Sequence, residues 1–216
     1  MEIELRLERT EDCAKAENLV REAFWNQYCP GCCEHYLLHV MRAAAGYVPE
    51  LAIVAACGGE IIGNIVYMKA MILGDDGNKY EVLSMGPIAV LPEWQGKGIG
   101  AKMIEHTRRL AREMGFRAVL LCGDPDYYLR RGFVSAETLG VRTSENIYSP
   151  ALHLCELYEN ALASAAGCYF EDEIYNVDEK AAAEFDALFP AKEAVAGTPA
   201  QKRFELLAAL GRKADL

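Results

Sequence analysis

Two kinds of hydrophobic pattern alternate along the first 175 residues. Apolar positions that alternate with polar ones, or form short continuous runs, predict strands, and apolar positions three and four residues apart predict helices. Gly58-Gly59 and the polar segment 74–78 are typical of tight turns between strands. The predicted strands are 3–8, 51–57, 60–73, 79–90 and 117–122. Three helices are predicted. The first is capped by Thr10, keeps helical spacing through Phe24 and is broken at 28–31, and the other two are 33–45 and 98–114.

The signals weaken after Phe133. Strands are predicted near 151–158 and 168–175, and helices near 178–188 and 201–210. Hairpins flank a single strand–helix–strand crossover, which predicts an α/β fold with a mixed, mostly antiparallel twisted sheet and helices on both faces. We expect residues 1–176 to form the core domain and 177–216 to form a helical extension packed on it.

Composition narrows the classes of function. The chain of 216 residues carries 22 Lys and Arg against 32 Asp and Glu, a formal net charge of −10. Negative charge repels phosphate backbones and anionic bilayers, so nucleic-acid and membrane binding are disfavoured. No apolar run approaches the roughly 18 residues needed to cross a bilayer. The N-terminal residues follow a strand pattern rather than a signal-peptide pattern, which predicts a cytoplasmic protein.

Eight cysteines are present. In a chain of this length without a secretion signal they are expected to be reduced thiols rather than a disulfide framework. Four of them stand in apolar, strand-like runs and are predicted to be small core residues. These four are Cys57, Cys122, Cys155 and Cys168.

A glycine-rich segment follows the strand that ends near Val90. Three glycines at alternate positions expose backbone N–H groups and let a ligand approach closely. They stand at the start of the helix predicted from residue 98, where the helix dipole also favours anions. The segment therefore predicts a pyrophosphate-binding turn, with positive charge added by its lysine. Its residues are Gln95, Gly96, Lys97, Gly98, Ile99, Gly100 and Ala101.

Two other phosphate-binding loops fit this segment less well. A P-loop requires the pattern G-x-x-x-x-G-K-[ST], which the surroundings of Lys97 do not match. Gly96, Gly98 and Ala101 satisfy the dinucleotide pattern G-x-G-x-x-[GA]. In that motif, however, the first glycine follows its strand directly, whereas here five residues, 91–95, intervene.

The pair Gly86-Pro87 lies inside a predicted strand. Proline cannot donate a hydrogen bond to a sheet, so the pair predicts a bulge or a splay from the neighbouring strand. Backbone groups of Ile88, Ala89 and Val90 would then be left to pair with an extended ligand that contains amides. The pantetheine arm of coenzyme A is such a ligand, and its pyrophosphate would reach the glycine-rich turn.

Two segments resemble a known family. Residues 90–100, VLPEWQGKGIG, resemble the [QR]-x-x-G-x-[GA] signature of the GNAT superfamily of acyl-CoA-dependent N-acetyltransferases. Residues 123–133, GDPDYYLRRGF, resemble that family's Tyr-x-x-x-Gly-Phe segment in the G-D-P-x-Y-Y form of one bacterial branch. The resemblance covers roughly residues 1–175 and implies a GNAT-like fold. It also implies acetyl-CoA as donor and a primary amine of a small molecule or peptide as acceptor.

The resemblance also implies catalytic roles. Tyr128 stands four residues before Gly132, where the family has a general acid that protonates the departing thiolate. The neighbouring Tyr127 is then a packing residue. Glu81 and Glu34 are candidates for the base that takes a proton from the acceptor amine, and water is an alternative. By position, Ile88, Ala89 and Val90 would hold pantetheine, and Gln95–Ala101 the pyrophosphate.

Cysteine and histidine residues between Cys29 and His39 superficially suggest a metal site. Cys29 and Cys32 have C-x-x-C spacing, and His35 and His39 are four residues apart on a predicted helix. A second C-x-x-C is absent from the sequence, and the proposed chemistry needs no metal. We therefore expect no bound metal, and interpret the segment as a border of the acceptor entrance.

Two other functions stay open at this point. A non-catalytic acyl-CoA sensor would need the glycine-rich turn but not Tyr128, and a nicotinamide-dependent oxidoreductase would use the same glycines for another dinucleotide. Release of free thiol from acetyl-CoA in the presence of amines distinguishes the enzyme from the sensor. The identity of the amine and association into a homodimer cannot be deduced from the sequence.

Overall fold

The computed structural model describes residues 2–214. Within that range the chain forms strands and α-helices joined by short 3₁₀ turns. The strands are β1 Glu4–Leu7, β2 Ile53–Cys57, β3 Glu60–Gly74, β4 Lys79–Val90, β5 Ala118–Cys122, β6 Val134–Ser135, β7 Val141–Arg142, β8 Ile147–Tyr148, β9 Leu152–Glu156, β10 Gly167–Phe170 and β11 Arg212–Lys213. The helices are α1 Cys13–Phe24, α2 Glu34–Met41, α3 Ile99–Glu113, α4 Pro125–Tyr128, α5 Glu179–Asp186 and α6 Pro199–Ala209.

The chain forms two compact units, each built from three segments. Unit 1 contains 1–67, 86–107 and 173–201, and unit 2 contains 68–85, 108–172 and 202–216. Strands β3 and β4 each contribute residues to both units. The proposed extension from residue 177 is divided between the units at Gln201, and the boundary at 176 remains a prediction.

Unit 1 is an antiparallel sheet covered by helices. Strand β1 pairs with β2, and β2 pairs with β3 through a bulge between Ala55 and Ala56. Gly63 on β3 lets α3 approach closely, because a Cβ there would lie 3.0 Å from the Cε of Met103. The buried hydroxyls of Tyr67 and Thr107 lie 2.7 Å apart and join the same strand and helix.

Unit 2 contains a mixed sheet. Strand β4 runs parallel to β5, β5 is antiparallel to β9, and β9 is antiparallel to β6. Strand β10 pairs antiparallel with β3 and parallel with β7. Buried apolar side chains from these strands and from residues 136–165 form one core cluster, which includes Ile72, Leu120, Leu152, Leu154 and Tyr169.

The predicted α/β fold with a mixed, mostly antiparallel sheet is confirmed. Strands β2 to β5 and helix α3 begin and end within two residues of their predicted bounds. The predicted helix 33–45 ends earlier, at Met41, and turns follow it. The predicted strand 168–175 is divided, since β10 ends at Phe170 and a 3₁₀ helix covers Glu173–Tyr175. No helix in the described residues is long and apolar enough to span a bilayer.

One prediction about an individual side chain was wrong. Cys122 is exposed rather than part of the core, because it is the last residue of β5 and lies beyond the residues that pair with β4. On α6 the side chain of Leu207 is buried, whereas that of Phe204 is 43% exposed. All eight cysteines are free thiols, and Cys57 and Cys155 are buried as predicted.

A buried charge fixes α5 within unit 1. The side chain of Arg21 on α1 is 1% exposed and makes two hydrogen bonds, of 2.6 and 3.2 Å, to the carboxylate of Asp186. The guanidinium also lies over the rings of Trp25 and Phe189, at 4.4 and 5.4 Å from their centroids. Because a buried guanidinium without a counterion is costly, this pairing holds the end of α5 against α1.

We predict that Asp186→Ala lowers the free energy of unfolding by about 3 kcal/mol, since it leaves the guanidinium of Arg21 buried without its counterion. Urea denaturation followed by circular dichroism measures the change. Glu184→Ala is the matched control: its 3.8 Å pair with Lys180 is solvent-exposed, so the loss should stay within about 0.5 kcal/mol. Equal losses in the two variants would contradict the role given to Arg21.

Candidate functional site

The glycine-rich turn lies in unit 1 between the end of β4 and the start of α3. Gly96 and Gly98 adopt left-handed φ angles of 73° and 79°, which side chains with a Cβ rarely adopt. A Cβ built at either position would meet nothing within 4 Å, so the backbone faces open space. Helix α3 begins at Ile99, and its first-turn N–H groups have no acceptor further back in the helix. The turn therefore fits an anionic group that binds through backbone N–H donors.

Side chains around the turn stabilise its shape. The side-chain amide of Gln95 donates a 3.0 Å hydrogen bond to the carbonyl oxygen of Val90, which closes the loop from the end of β4. Pro92 stands at the first position of a 3₁₀ helix that ends at Trp94. The ammonium group of Lys97 lies 4.6 Å from the centroid of the Trp94 ring. The glutamine of the signature thus has a structural role, and the side chain of the lysine packs on the neighbouring tryptophan.

Strands β4 and β5 pair over a short length. The paired residues are Leu83 with Val119 and Ser84 with Leu120, and the pairing ends two residues before Gly86. Gly86 has a φ of 137°, outside the range of an ordinary strand. This irregularity lies where the sequence predicts a bulge or splay. Ala89 is buried, and Ile88 and Val90 are half-buried.

Tyr128 lies in unit 2, in a segment that follows β5 directly. Asp124 caps α4 by accepting a 2.9 Å hydrogen bond from the backbone N–H of Asp126, and Pro125 occupies the first helical position. A Cβ on Gly123 would overlap the Tyr128 ring, so the ring rests directly on the glycine backbone. Gly123 thus leaves room for the Tyr128 ring, and Asp124 and Pro125 stabilise the start of α4.

The Tyr128 ring lies among other aromatic rings. Its centroid is 4.9 Å from Tyr127, 5.7 Å from Phe133 and 6.1 Å from His153. His153 is buried, and burial lowers the pKa of its imidazole. A neutral histidine therefore stands beside Tyr128 near neutral pH.

The two carboxylates predicted as bases differ in environment. Glu81 is exposed and lies 3.7 Å from the ammonium group of Lys69, at the surface of unit 2. Glu34 begins α2 in unit 1 and is half-buried, and burial raises the pKa of its carboxyl. One of its oxygens accepts a 3.1 Å hydrogen bond from the backbone N–H of Cys33. The two residues belong to different units, and their catalytic role remains a prediction.

A third carboxylate was missed by the sequence analysis. Glu171 directly follows β10, and one of its oxygens accepts hydrogen bonds from the hydroxyls of Ser84 at 3.1 Å and Tyr169 at 3.3 Å. Glu171 is exposed to solvent, but protein atoms around its carboxylate partly desolvate it and raise the pKa of its carboxyl. Cys122 is likewise exposed, and partial desolvation by the surrounding protein atoms, with a smaller effect of the Glu171 charge, raises the pKa of its thiol to about 12. No local sequence pattern indicates this site, because Ser84 and Glu171 are 87 residues apart.

Each histidine of the Cys29–His39 segment has a carboxylate neighbour. The Nε2 of His35 lies 3.1 Å from Asp186, and its Nδ1 lies 3.5 Å from the sulfur of Cys32. The Nδ1 of His39 lies 3.0 Å from Glu17. Among the residues the structure describes, no three His, Cys, Asp or Glu side chains are placed to hold a metal ion. The segment packs within unit 1 through these pairs.

Comparisons with known proteins agree with this geometry. The family model described as "Acetyltransferase (GNAT) family" matches residues 18–133, a range that contains both the glycine-rich turn and Tyr128. The uncharacterized N-acetyltransferase YhbS of Escherichia coli K12 is 24% identical over 172 residues, which is 80% of this chain and 98% of YhbS. The uncharacterized N-acetyltransferase YjhQ of the same organism is 35% identical over 86 residues, which is 39% of this chain and 46% of YjhQ.

Solved structures share the fold. The crystal structure of E. coli YhbS in complex with CoA superposes with a TM-score of 0.71 and 24% identity, over 81% of this chain and 92% of that one. A GNAT family acetyltransferase from Brucella melitensis in complex with acetyl-CoA superposes with a TM-score of 0.63 and 24% identity, over 81% of this chain and 98% of that one. The predicted GNAT-like fold is confirmed.

We predict that Gly123→Ala displaces the Tyr128 ring, since the new Cβ would overlap it, and lowers the free energy of unfolding by about 1–3 kcal/mol. The control is the same substitution in a Tyr128→Ala background, where the overlap is absent and the loss should be smaller. Chemical denaturation of the wild type, both single variants and the double variant gives the coupling energy. Additive effects would show that the glycine is not required by the ring.

Proposed function

The chain belongs to the acetyltransferase (GNAT) family, and on that premise we propose that it transfers an acetyl group from acetyl-CoA directly to a primary amine of a small molecule or peptide. The observation that carries the proposal is the open glycine-rich turn at the start of α3, whose two left-handed glycines present bare backbone to an anion. Coenzyme A carries such an anion in its pyrophosphate. The solved structure of YhbS from E. coli is a complex with CoA, and that of the acetyltransferase from Brucella melitensis is a complex with acetyl-CoA.

In this proposal the cofactor is held mainly by backbone. The residues Gln95 to Ala101 bind the pyrophosphate, and Lys97 adds a positive charge beside it. The backbone N–H groups of Ile88, Ala89 and Val90 donate hydrogen bonds to the amides of pantetheine, and their carbonyl oxygens accept hydrogen bonds from them. When bound, acetyl-CoA supplies a thioester whose acetyl carbon accepts the amine and whose sulfur leaves as thiolate.

Tyr128 is the proposed proton donor. A phenol near the leaving sulfur can protonate it as the carbon–sulfur bond breaks. The contact with Gly123 supports this role, because a ring that rests on backbone is held in one orientation. The Tyr127 ring packs edge-to-face against the Tyr128 ring, with an angle of 79° between the two ring planes. In this proposal Tyr127 is therefore a packing partner of Tyr128 and not a second proton donor.

We predict that Gly98→Asp abolishes acetyl-CoA binding, because it adds a side chain and a negative charge where the pyrophosphate would lie. Isothermal titration calorimetry measures the affinity. Gly58→Asp is the matched control: Gly58 has a left-handed φ of 59° and open surroundings, but it lies in the turn between β2 and β3. This control should bind acetyl-CoA like the wild type. Unchanged acetyl-CoA affinity in a folded Gly98→Asp protein would contradict the assignment of the glycine-rich turn as the pyrophosphate site.

We further predict that Tyr128→Phe lowers kcat by roughly 10²–10⁴-fold, the usual contribution of a general acid, while the Kd for acetyl-CoA stays the same. Thiol release from acetyl-CoA with a panel of primary amines measures the rate. Tyr127→Phe is the control, since it also removes one phenol hydroxyl and keeps the ring, and it should retain the wild-type rate. A Tyr128→Phe enzyme as fast as the wild type would make Tyr128 a packing residue.

A further inference from the structure

Glu171 is held in place by two buried hydroxyl groups. Ser84 and Tyr169 are 1% and 3% exposed, and both donate to the same oxygen of the Glu171 carboxylate. Ser84 is the last residue of β4 that pairs with β5, and Tyr169 anchors β10 in the core of unit 2. The carboxylate is therefore fixed by rigid strands while its side chain is still reached by solvent.

Glu171 differs from Glu81 in its charged neighbours. Among the residues that the structure describes, no Lys, Arg or His forms an ion pair with Glu171, whereas Glu81 pairs with Lys69. A carboxylate that is partly desolvated without a counterion is stabilised when a cation enters. Most primary amines are protonated near neutral pH, with a pKa of about 10 for a lysine-like amine, so they provide that cation.

The position of Glu171 relative to Tyr128 follows from strand geometry. Directly opposed residues on neighbouring strands share a face, so Ser84, Leu120 and Cys122 lie on one face of the sheet. Leu121 and its partner His153 lie on the other face, where the His153 ring neighbours the Tyr128 ring. Glu171 is bound to Ser84 and Tyr128 neighbours His153, so the two groups approach the end of β5 from opposite faces.

Opposite faces suit the two proton transfers of an acyl transfer. The amine must lose a proton as it attacks the carbonyl carbon, and the sulfur must gain one as it leaves. A base on one face and an acid on the other can serve these steps without competing for one proton. Partial desolvation, which raises the pKa of Glu171, also makes its carboxylate a stronger base than a fully solvated glutamate.

We propose that Glu171 is the acceptor-amine site of this enzyme: its carboxylate binds the protonated primary amine and takes the proton that the nitrogen must lose. The inference rests on the proposed function. The nitrogen–proton bond breaks and a proton bond to the Glu171 oxygen forms. The freed electron pair then forms the bond to the acetyl carbon, the carbon–sulfur bond breaks, and the thiolate takes its proton from Tyr128. The acylated nitrogen releases its second proton to solvent, which leaves a neutral amide, and the Tyr128 phenolate and the Glu171 carboxyl return to their starting protonation by exchange with solvent. Ser84 and Tyr169 are positioning residues.

The test compares Glu171→Gln with the wild type in thiol release from acetyl-CoA, between pH 5.5 and 9, with benzylamine, tyramine, 1,4-diaminobutane and an alanine-initiated peptide as acceptors. Without the carboxylate, kcat/KM for the best acceptor should fall by roughly 10²–10⁴-fold. The acid limb of the wild-type profile, where protonation of Glu171 stops the reaction as pH falls, should disappear. Glu173→Gln, an exposed glutamate two residues later, is the control and should behave like the wild type.

Two further measurements separate the possible failures. Acetyl-CoA affinity and melting temperature should be unchanged in Glu171→Gln, so that a lost rate reports the amine step.

An active wild type together with a Glu171→Gln variant of equal rate and pH profile overturns the inference and leaves the proposed function intact. A wild type that releases no thiol with any amine, although it binds acetyl-CoA, overturns the proposed function itself.

Discussion

The short parallel pairing of β4 with β5 is the constraint on which the proposed site in unit 2 depends. Two pairs of residues, Leu83 with Val119 and Ser84 with Leu120, fix the register of the two strands. Because the register is fixed, the hydroxyl of Ser84 meets Glu171 on one face, and β5 ends at Cys122 with Gly123 directly after it. A shift by one residue would exchange the faces of every side chain on β5 and separate the carboxylate from the end of the strand.

Glycine serves two different purposes in the functional segments. At Gly96 and Gly98 it permits a left-handed backbone that faces open space, so the N–H groups can meet an anion. At Gly123 the backbone is ordinary, and the missing Cβ instead leaves room for the Tyr128 ring. An alanine would be unfavourable in both places for different reasons. In the turn it would strain the backbone, and beside the ring its Cβ would overlap the Tyr128 side chain.

Local patterns allowed part of this structure to be predicted. The glycine-rich turn, the adjoining helix and the segment around Tyr128 are each encoded within about fifteen residues, and the family match confirms the resemblance they suggested. Glu171 could not be predicted, since its partners Ser84 and Tyr169 identify it only after β4 and β10 have joined the same unit. The exposure of Cys122 could not be predicted either. An apolar run in the sequence does not show at which residue the strand stops pairing with its neighbour, here β4.

The loop that carries Tyr128 is also connected to the C-terminal helix of unit 2 by exposed charges. Arg203 on α6 donates to the carboxylates of Asp124, at 3.1 Å, and Asp126, at 2.9 Å. One of these aspartates is the cap of α4, so the ion pair bears directly on the turn before Tyr128. Ion pairs at the protein surface weaken as the salt concentration rises, because dissolved ions screen the two charges. Dissolved salt is therefore expected to weaken the attachment of α6 to the turn before Tyr128.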